Sequence, residues 1–285
     1  MTSSPDTARQ GTTTEVSIVI VTYNSAGEIE ACLRSILDSP VRRRIEILVV
    51  DNGSTDDTLT RIAAVSSAVV VDRAPRNLGF AAANNRAARQ ASGTFLILLN
   101  PDTVVAPGAI DGLCDVLAHH PDIRVVGPRL VDTHGDPELS FGAMVSPLAE
   151  WRQKRLVRGV ERGSPAARDA VAALTSTSHD VDWVSGACLA CRTTEFLEAG
   201  GFDEQFFMYL EDVDLCATVR RRGRRVRFEA GLVVTHRRGR SRASARSATE
   251  QAYRRSQLAF YAKHHAAWAP LLRVYLTVRG RLPDT

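Results

Sequence analysis

Three carboxylates fall within four positions of an otherwise apolar run, FFMYLEDVDLCAT (206–218). Glu211, Asp212 and Asp214 repel one another, so burial of all three is costly unless they share protons or find partners. A helix start accommodates part of this charge, because acidic residues in a first turn complement the helix dipole, and Leu215 and Val219 follow at i,i+4 spacing. Asp214 reads as such a helix-start residue. Glu211 and Asp212, immediately before the periodic stripe, must be either solvated or put to use.

The ends of four apolar segments carry the other candidates. VSIVIVTYN (16–24) ends in Thr22-Tyr23-Asn24, IEILVVDNGS (45–54) in Asp51-Asn52-Gly53-Ser54, and TFLILLNPD (94–102) in Asn100-Pro101-Asp102, while VRFEAGLVVTH (226–236) ends in His236. Each is an ordinary turn signal taken alone. Together they matter, because an open parallel α/β sheet binds ligands beyond the carboxyl ends of its strands. Asp102 can supply a carboxylate, and His236 an imidazole, to a divalent cation such as Mg²⁺ or Mn²⁺. The first strand-to-helix turn, VTYNSAG, lacks the GxGxxG of a dinucleotide-binding dehydrogenase, which makes a nicotinamide oxidoreductase the weakest reading.

These residues need a frame. Residues 16–24, 45–54, 68–73 and 94–102 alternate with helical stretches such as AGEIEACLRSIL, with Ile29, Leu33, Ile36 and Leu37 on one stripe, and FAAANNRAARQA (80–91). The alternation predicts a mainly parallel α/β sheet flanked by helices. DWVSGACLACRT (182–193) reads as one more strand. Residues 135–180 lack strand periodicity and predict a variable, helical, mobile excursion. The expected organisation is a disordered tail over 1–14, one α/β domain over 15–243, and a helical tail over 244–285.

Composition narrows the function classes. The chain has 285 residues, 44% of them hydrophobic, enough for a large core. MTSSPDTARQGTTTE has no apolar centre and no stretch of eighteen uncharged apolar residues follows, so the expectation is a cytoplasmic protein. Five cysteines spread through apolar segments fit reduced core thiols, and the Cys188–Cys191 pair has no second pair beside it for zinc. Net charge is only +4, yet RRRGRRVR (220–227) and HRRGRSRASAR (236–246) concentrate positive charge late in the chain, which suits phosphate, pyrophosphate or an anionic membrane. With no zinc-finger or RNP-like pattern, nucleic acid is not an expected partner. His119-His120 and His264-His265 read as surface residues, and Phe206, Phe207 and Tyr209 as core or as a sugar platform. In the tail, Leu271, Tyr275, Val278 and Leu282 fall on one helical face, which predicts either a peripheral contact with the inner face of the membrane or docking onto the protein itself or a second subunit in a homodimer.

The ordered series VSIVIVTYNS, ILVVDNGSTDDT, NLGFAAANN, FLILLNPDT, GGFDEQFFMYLEDVDLC and VVTHRRGRS resembles the motif series of family-2 inverting nucleotide-sugar glycosyltransferases of the GT-A fold, the rhamnosyltransferase branch especially. The resemblance spans about residues 15–240. It implies that the family's DxD metal motif falls on Asn100-Pro101-Asp102, so that only Asp102 keeps a carboxylate, and that the metal-side histidine falls on His236. It implies base recognition by Asp51 and a catalytic base at Asp212 with Glu211 orienting the acceptor. On the donor side it further implies Thr22, Tyr23 and Asn24, then Asn77, Gly79, Asn100 and Arg238; on the acceptor side, Trp183, Gly186, Phe207 and Glu211. The donor it implies is dTDP-L-rhamnose, with a UDP-sugar such as UDP-galactofuranose next. The implied acceptor is a saccharide or polyprenyl-linked saccharide of cell-surface polysaccharide, with a small secondary metabolite as an alternative. The replacement of the first metal-motif aspartate by Asn100 leaves one rival from another class, a catalytically silent sugar-nucleotide-binding module.

Overall fold

β-Branched and leucine-rich runs with little polar interruption become strands covered on both faces. The computed structural model describes residues 13–237 and 246–283. Its elements are β1 (Val16–Thr22), α1 (Ile29–Leu37), β2 (Ile45–Asp51), α2 (Thr58–Val65), β3 (Val70–Arg73), α3 (Phe80–Ala88) and β4 (Phe95–Leu99). There follow β5 (Thr103–Val105), α4 (Ala109–His119), β6 (Ile123–Val131), β7 (Phe141–Gly142), α5 (Pro147–Glu161) and α6 (Pro165–Leu174). After them come β8 (His179–Val181), β9 (Trp183–Val184), β10 (Cys188–Arg192), α7 (Thr193–Glu198), α8 (Glu211–Arg221) and β11 (Arg225–His236). Two helices, α9 (Arg246–His264) and α10 (Ala269–Val278), end the described chain.

The main sheet runs in the order β3-β2-β1-β4-β10-β6-β11-β5, with β8 added beside β11. β3, β2, β1 and β4 are mutually parallel, β10 is antiparallel to both β4 and β6, and β11 is parallel to β6. All seven residues of β1 are buried. Alternation then divides the core: Val19 and Val21 join the cluster with α3 and α8, whereas Val16, Ile18 and Ile20 join the cluster with α1 and α4. This is the mainly parallel, helix-flanked sheet that the alternation predicts.

Register fixes the functional edge. Thr22 lies opposite Asp51, Ile20 opposite Leu99 and Leu99 opposite Cys188, so the residues following β1, β2 and β4 and those preceding β10 share one rim. β5 pairs antiparallel with β11, placing His236 opposite Thr103 at that same rim.

The strand expected over 182–193 is broken at Ser185-Gly186-Ala187: β9 leaves to pair with β7 in a separate ribbon while β10 joins the main sheet. The helical part of the 135–180 excursion consists of α5 and α6, each started by serine and proline; Ser146 accepts from the Ala149 amide and Ser164 from the Ala167 amide. Residues 1–12 of the expected N-terminal tail lie outside the described residues. The C-terminal helices are built into the domain rather than appended to it. Phe260 and Tyr261 of α9 are buried in the α3–α8 core cluster, and α10 packs Leu272 and Ala269 against it.

The cysteines remain core thiols, all five free and buried. Cys188 and Cys191, an odd number of positions apart on β10, point to opposite faces of the sheet and enter different clusters, so they do not converge on a metal. The RRRGRRVR run is not a phosphate field either. Arg225 pairs with Asp122 and Asp180, Arg227 with Asp180 and Glu229, and Arg220 with Asp182. β11 begins there and only reaches the functional rim at its other end.

Candidate active site

The half of the rim expected to take the donor is organised around Asp51. Its Oδ1 accepts from Thr22 Oγ1 at 3.0 Å and its Oδ2 from the Ser54 amide at 3.1 Å, in a side chain that is almost fully buried. Asn24 takes a left-handed backbone (φ 51°), which asparagine tolerates, and its Oδ1 accepts from the Thr55 amide at 2.8 Å. These bonds close the β1 and β2 turns against each other. Tyr23 stands about half exposed beside them. Asn77 and Gly79 belong to the loop before α3: Asn77 Oδ1 accepts from the Gly79 amide at 2.9 Å, and the Gly79 carbonyl accepts from Asn52 Nδ2 at 3.1 Å. At Gly79, φ is 87° and a Cβ would lie 2.4 Å from the Phe207 carbonyl oxygen, so glycine is required on both counts.

Asp102 follows β4 and meets His236 at the end of β11. His236 Nε2 lies 3.4 Å from Asp102 Oδ1, and its Nδ1 lies 3.2 Å from Glu138 Oε2. Glu138 was not singled out by sequence: it sits in the loop after β6, where only the β6–β11 pairing brings it to the imidazole. Burial pushes the His236 pKa down, but the bonds to Asp102 and Glu138 outweigh it and raise it to about 9. A histidine raised above its ordinary 6.5 stabilises the fold fully below pH 6.5, and this contribution is lost as pH rises through 9. In the metal-free protein the loss should amount to about 3 kcal/mol. Urea titrations at pH 6.5 and 9.5 should show it, and His236→Gln should flatten the difference; equal pH dependence in both proteins would contradict the charged imidazole.

Asp102 and His236 suit a hard divalent cation that takes its remaining ligands from phosphate oxygens and water. Among the described residues there is no cluster of three or more His, Cys, Asp or Glu able to hold a metal without such help. The Asn100 amide donates to the Ala187 carbonyl at 2.9 Å and its own carbonyl accepts from Thr103 Oγ1 at 2.7 Å. Asn100 thereby stitches β4 to the β9–β10 break. Arg238 lies outside the described residues; the Arg237 amide donates to the Asp102 carbonyl at 2.8 Å.

That break carries the half expected to take the acceptor. Freed from strand pairing, the Gly186 amide donates to Asp212 Oδ2 at 2.6 Å, and the Val213 amide donates to Oδ1 at 2.8 Å. Burial raises the Asp212 pKa while the two amides oppose that rise. Glu211 is buried more deeply and its pKa is raised further, by burial first and by the Asp212 charge second. Of the two, Glu211 is therefore the more strongly biased toward its proton and Asp212 toward its charge. Glu211 Oε2 is buried with no hydrogen-bond partner among the described residues.

The turn before Glu211 stores backbone strain. Tyr209 (φ 73°) and Leu210 (φ 70°) are consecutive left-handed residues with full side chains, a conformation costing on the order of 1–3 kcal/mol each. α9 holds it, since Ser256 Oγ donates to the Met208 carbonyl at 2.7 Å and Tyr253 meets the Tyr209 ring at 6.0 Å. Phe206 is core, whereas Phe207 is 47% exposed and its carbonyl accepts from the Phe80 amide at 2.7 Å. The Trp183 ring is buried, with Nε1 donating to the Ala143 carbonyl at 2.9 Å, so it braces the β7–β9 ribbon beneath the site.

Asp214 is not a plain helix-start residue. Its Oδ2 accepts from Lys263 Nζ at 2.9 Å and its Oδ1 from His264 Nε2 at 2.6 Å, and His264 Nδ1 accepts from Arg221 at 2.8 Å. His264 and His265 are accordingly not surface residues: His265 Nε2 bonds the Val145 carbonyl at 2.7 Å. Sequence reading missed both because their partners are far away along the chain.

The model of glycosyl transferase family 2 matches residues 17–173, more than half of the chain. The chain belongs to that family. It is an enzyme, a glycosyltransferase. It is 32% identical over 93% of its length to N-acetylglucosaminyl-diphospho-decaprenol L-rhamnosyltransferase of Mycobacterium tuberculosis, covering 91% of that protein. The fold is also that of solved glycosyltransferases. GalNAc-T7 with UDP, GalNAc and Mn²⁺ superposes with a TM-score of 0.63 at 18% identity, over 86% of this chain and 48% of that one. The mannosyltransferase PcManGT of Pyrobaculum calidifontis, with GDP-Man and Mn²⁺, gives 0.60 at 20% identity, over 90% and 68%.

Proposed function

We propose that the enzyme transfers L-rhamnose from dTDP-L-rhamnose, with inversion, to a polyprenyl-diphosphate-linked saccharide. The observation that carries this reading is the end-to-end likeness to the mycobacterial rhamnosyltransferase, whose name specifies such an acceptor. The rim supports it. Asp51, fixed by Thr22 and Ser54, is poised to take the nucleobase side of the donor, and the Tyr23 and Asn24 turn lies beside it.

At the other end of the rim, Asp212 accepts the proton of the attacking hydroxyl. The Gly186 and Val213 amides favour its charge, and Glu211, the neighbour more strongly biased toward its proton, would orient the acceptor. A divalent cation held by Asp102 and His236 would neutralise the leaving diphosphate. Support for it comes from the donor set and from the Mn²⁺ bound in both superposed structures. Asn100 in place of a first aspartate leaves one carboxylate, so the cation is expected to bind with the nucleotide rather than ahead of it.

Two experiments test the reading. Purified enzyme, N-acetylglucosaminyl-diphospho-polyprenol and Mn²⁺ should give a rhamnosylated product from dTDP-rhamnose and much less from UDP-galactofuranose; preference for the latter would overturn the donor, and no transfer with either would favour a binding module. In calorimetry, Mn²⁺ should strengthen dTDP binding by roughly tenfold or more, and Asp102→Ala should remove that gain. An unchanged Mn²⁺ effect in Asp102→Ala would remove Asp102 from the metal site.

A further inference from the structure

α10 has two apolar faces, and the protein uses only one. Ala269, Leu272 and Leu276 face the core, and Leu276 is fully buried. A second stripe, Leu271, Val274, Tyr275 and Val278, follows i,i+3,i+4,i+7 spacing and is 60%, 62%, 51% and 80% exposed. Trp268 and Leu282, also exposed, extend it at either end. One helical surface leaves an unusual amount of large apolar side chain in water, and surfaces of this kind are contact sites.

We propose that this stripe seats on the surface of an anionic phospholipid membrane, with α10 lying in the headgroup layer. Three features of the segment select that occupant. Residues 266–283 contain Arg273, Arg279 and Arg281 and no acidic residue, a charge balance that matches an anionic lipid surface. Arg279 stacks over Tyr275 at 5.8 Å and Arg281 lies 4.0 Å from Glu250 of α9, so both flank the stripe. A second copy docked through the same stripe with the two helices parallel would set these arginines against each other, which penalises that homodimer. Trp268 and Tyr275, apolar rings with one polar atom, are the side chains that partition to the boundary of a bilayer. Among the described residues no helix is long and apolar enough to cross a membrane, so the contact is one of lying on the surface.

A neighbouring segment enlarges the surface. The Val145 carbonyl just before α5 bonds His265 at the α9–α10 junction, and the first turns of α5 expose Leu148 and Trp151, with Arg155 stacked over Trp151 at 5.5 Å. The proposal rests on the reading above in one respect, that a lipid-linked acceptor gives membrane docking a purpose. α9, which joins this surface to the Met208–Leu210 turn before Asp212, would then present the acceptor side of the rim to the lipid.

The test uses the full chain and the exposed positions only. Wild type should sediment with vesicles of phosphatidylglycerol and phosphatidylcholine that contain no polyprenyl lipid, and less with phosphatidylcholine alone or in high salt. Val274→Glu/Val278→Glu should reduce the bound fraction on the order of tenfold while leaving Tm, nucleotide binding and transfer to a short-chain, water-soluble acceptor analogue unchanged. Arg273→Gln/Arg279→Gln should reduce it only on anionic vesicles. Absence of sedimentation, or sedimentation indifferent to Val274→Glu/Val278→Glu, overturns the proposal. A wild-type dimer in sedimentation velocity that this variant dissociates overturns it too, by assigning the stripe to a second copy. Because the vesicles carry no acceptor, the result stands apart from whether the enzyme is a rhamnosyltransferase.

Discussion

Asp212→Asn should lower turnover by roughly two to four orders of magnitude while donor binding barely changes. The substitution keeps the shape of the side chain and can keep one amide bond, from Gly186 or Val213, through its remaining carbonyl oxygen. It cannot take the acceptor proton. The amide also removes the Asp212 charge, which adds to burial in raising the Glu211 pKa, so Glu211 should ionise at lower pH in the variant. Initial rates with saturating acceptor, together with calorimetry of the donor nucleotide, separate the two effects. Near-normal turnover in Asp212→Asn, with the loss appearing in Glu211→Gln instead, would move the base to the neighbouring carboxylate even with the family unchanged.

Asp214→Ala is the converse case, a large effect on stability with a small one on chemistry. Asp214 is buried and holds both Lys263 and His264, through which α9 is fastened to α8. Removing one partner of a buried charged network leaves the others uncompensated and costs about 3–5 kcal/mol. Lys263 keeps Asp203 at 2.6 Å, which places the expectation at the lower end of that range. Thermal unfolding should show a fall in Tm on the order of ten degrees. Turnover per folded molecule should stay within about tenfold of wild type, since Asp214 makes no contact with Asp212 or Gly186 and acts only by holding the strained Tyr209–Leu210 turn through α9. Unchanged Tm would show that the Lys263–His264 network does not fasten the tail, and Asp214→Asn with turnover as low as Asp212→Asn would make Asp214 part of the chemistry.

What the strands would be was legible, because a strand covered on both faces has to be largely apolar, and residues 18–21, 47–50 and 95–99 are unbroken apolar runs. The polar ends of those strands were legible as a rim for the same reason: once a parallel sheet is inferred, its carboxyl ends must lie together. Asp51, Asp102 and His236 could thus be singled out from types and spacing alone, whereas Asp212 was picked from its neighbours by the resemblance to the family's motif. Glu138 could not be named. Nothing local distinguishes it from any loop glutamate until β6 and β11, about a hundred residues apart, pair and carry it to His236.

Local pattern therefore decided the elements, and tertiary structure decided every partnership between residues distant in the chain. The strand read as continuous over 182–193 breaks at Ser185-Gly186-Ala187, where the Gly186 amide leaves strand pairing and meets Asp212. The three carboxylates of 211–214 look equivalent in sequence and become three different groups in the fold. Glu211 is left buried with Oε2 unpartnered among the described residues, which favours its proton, Asp212 receives two backbone amides that favour its charge, and Asp214 receives a lysine and a histidine from a helix some fifty residues onward. A sequence fixes which side chains carry charge, but the dielectric and the hydrogen-bond donors around each one are contributed by chain segments that only folding brings near.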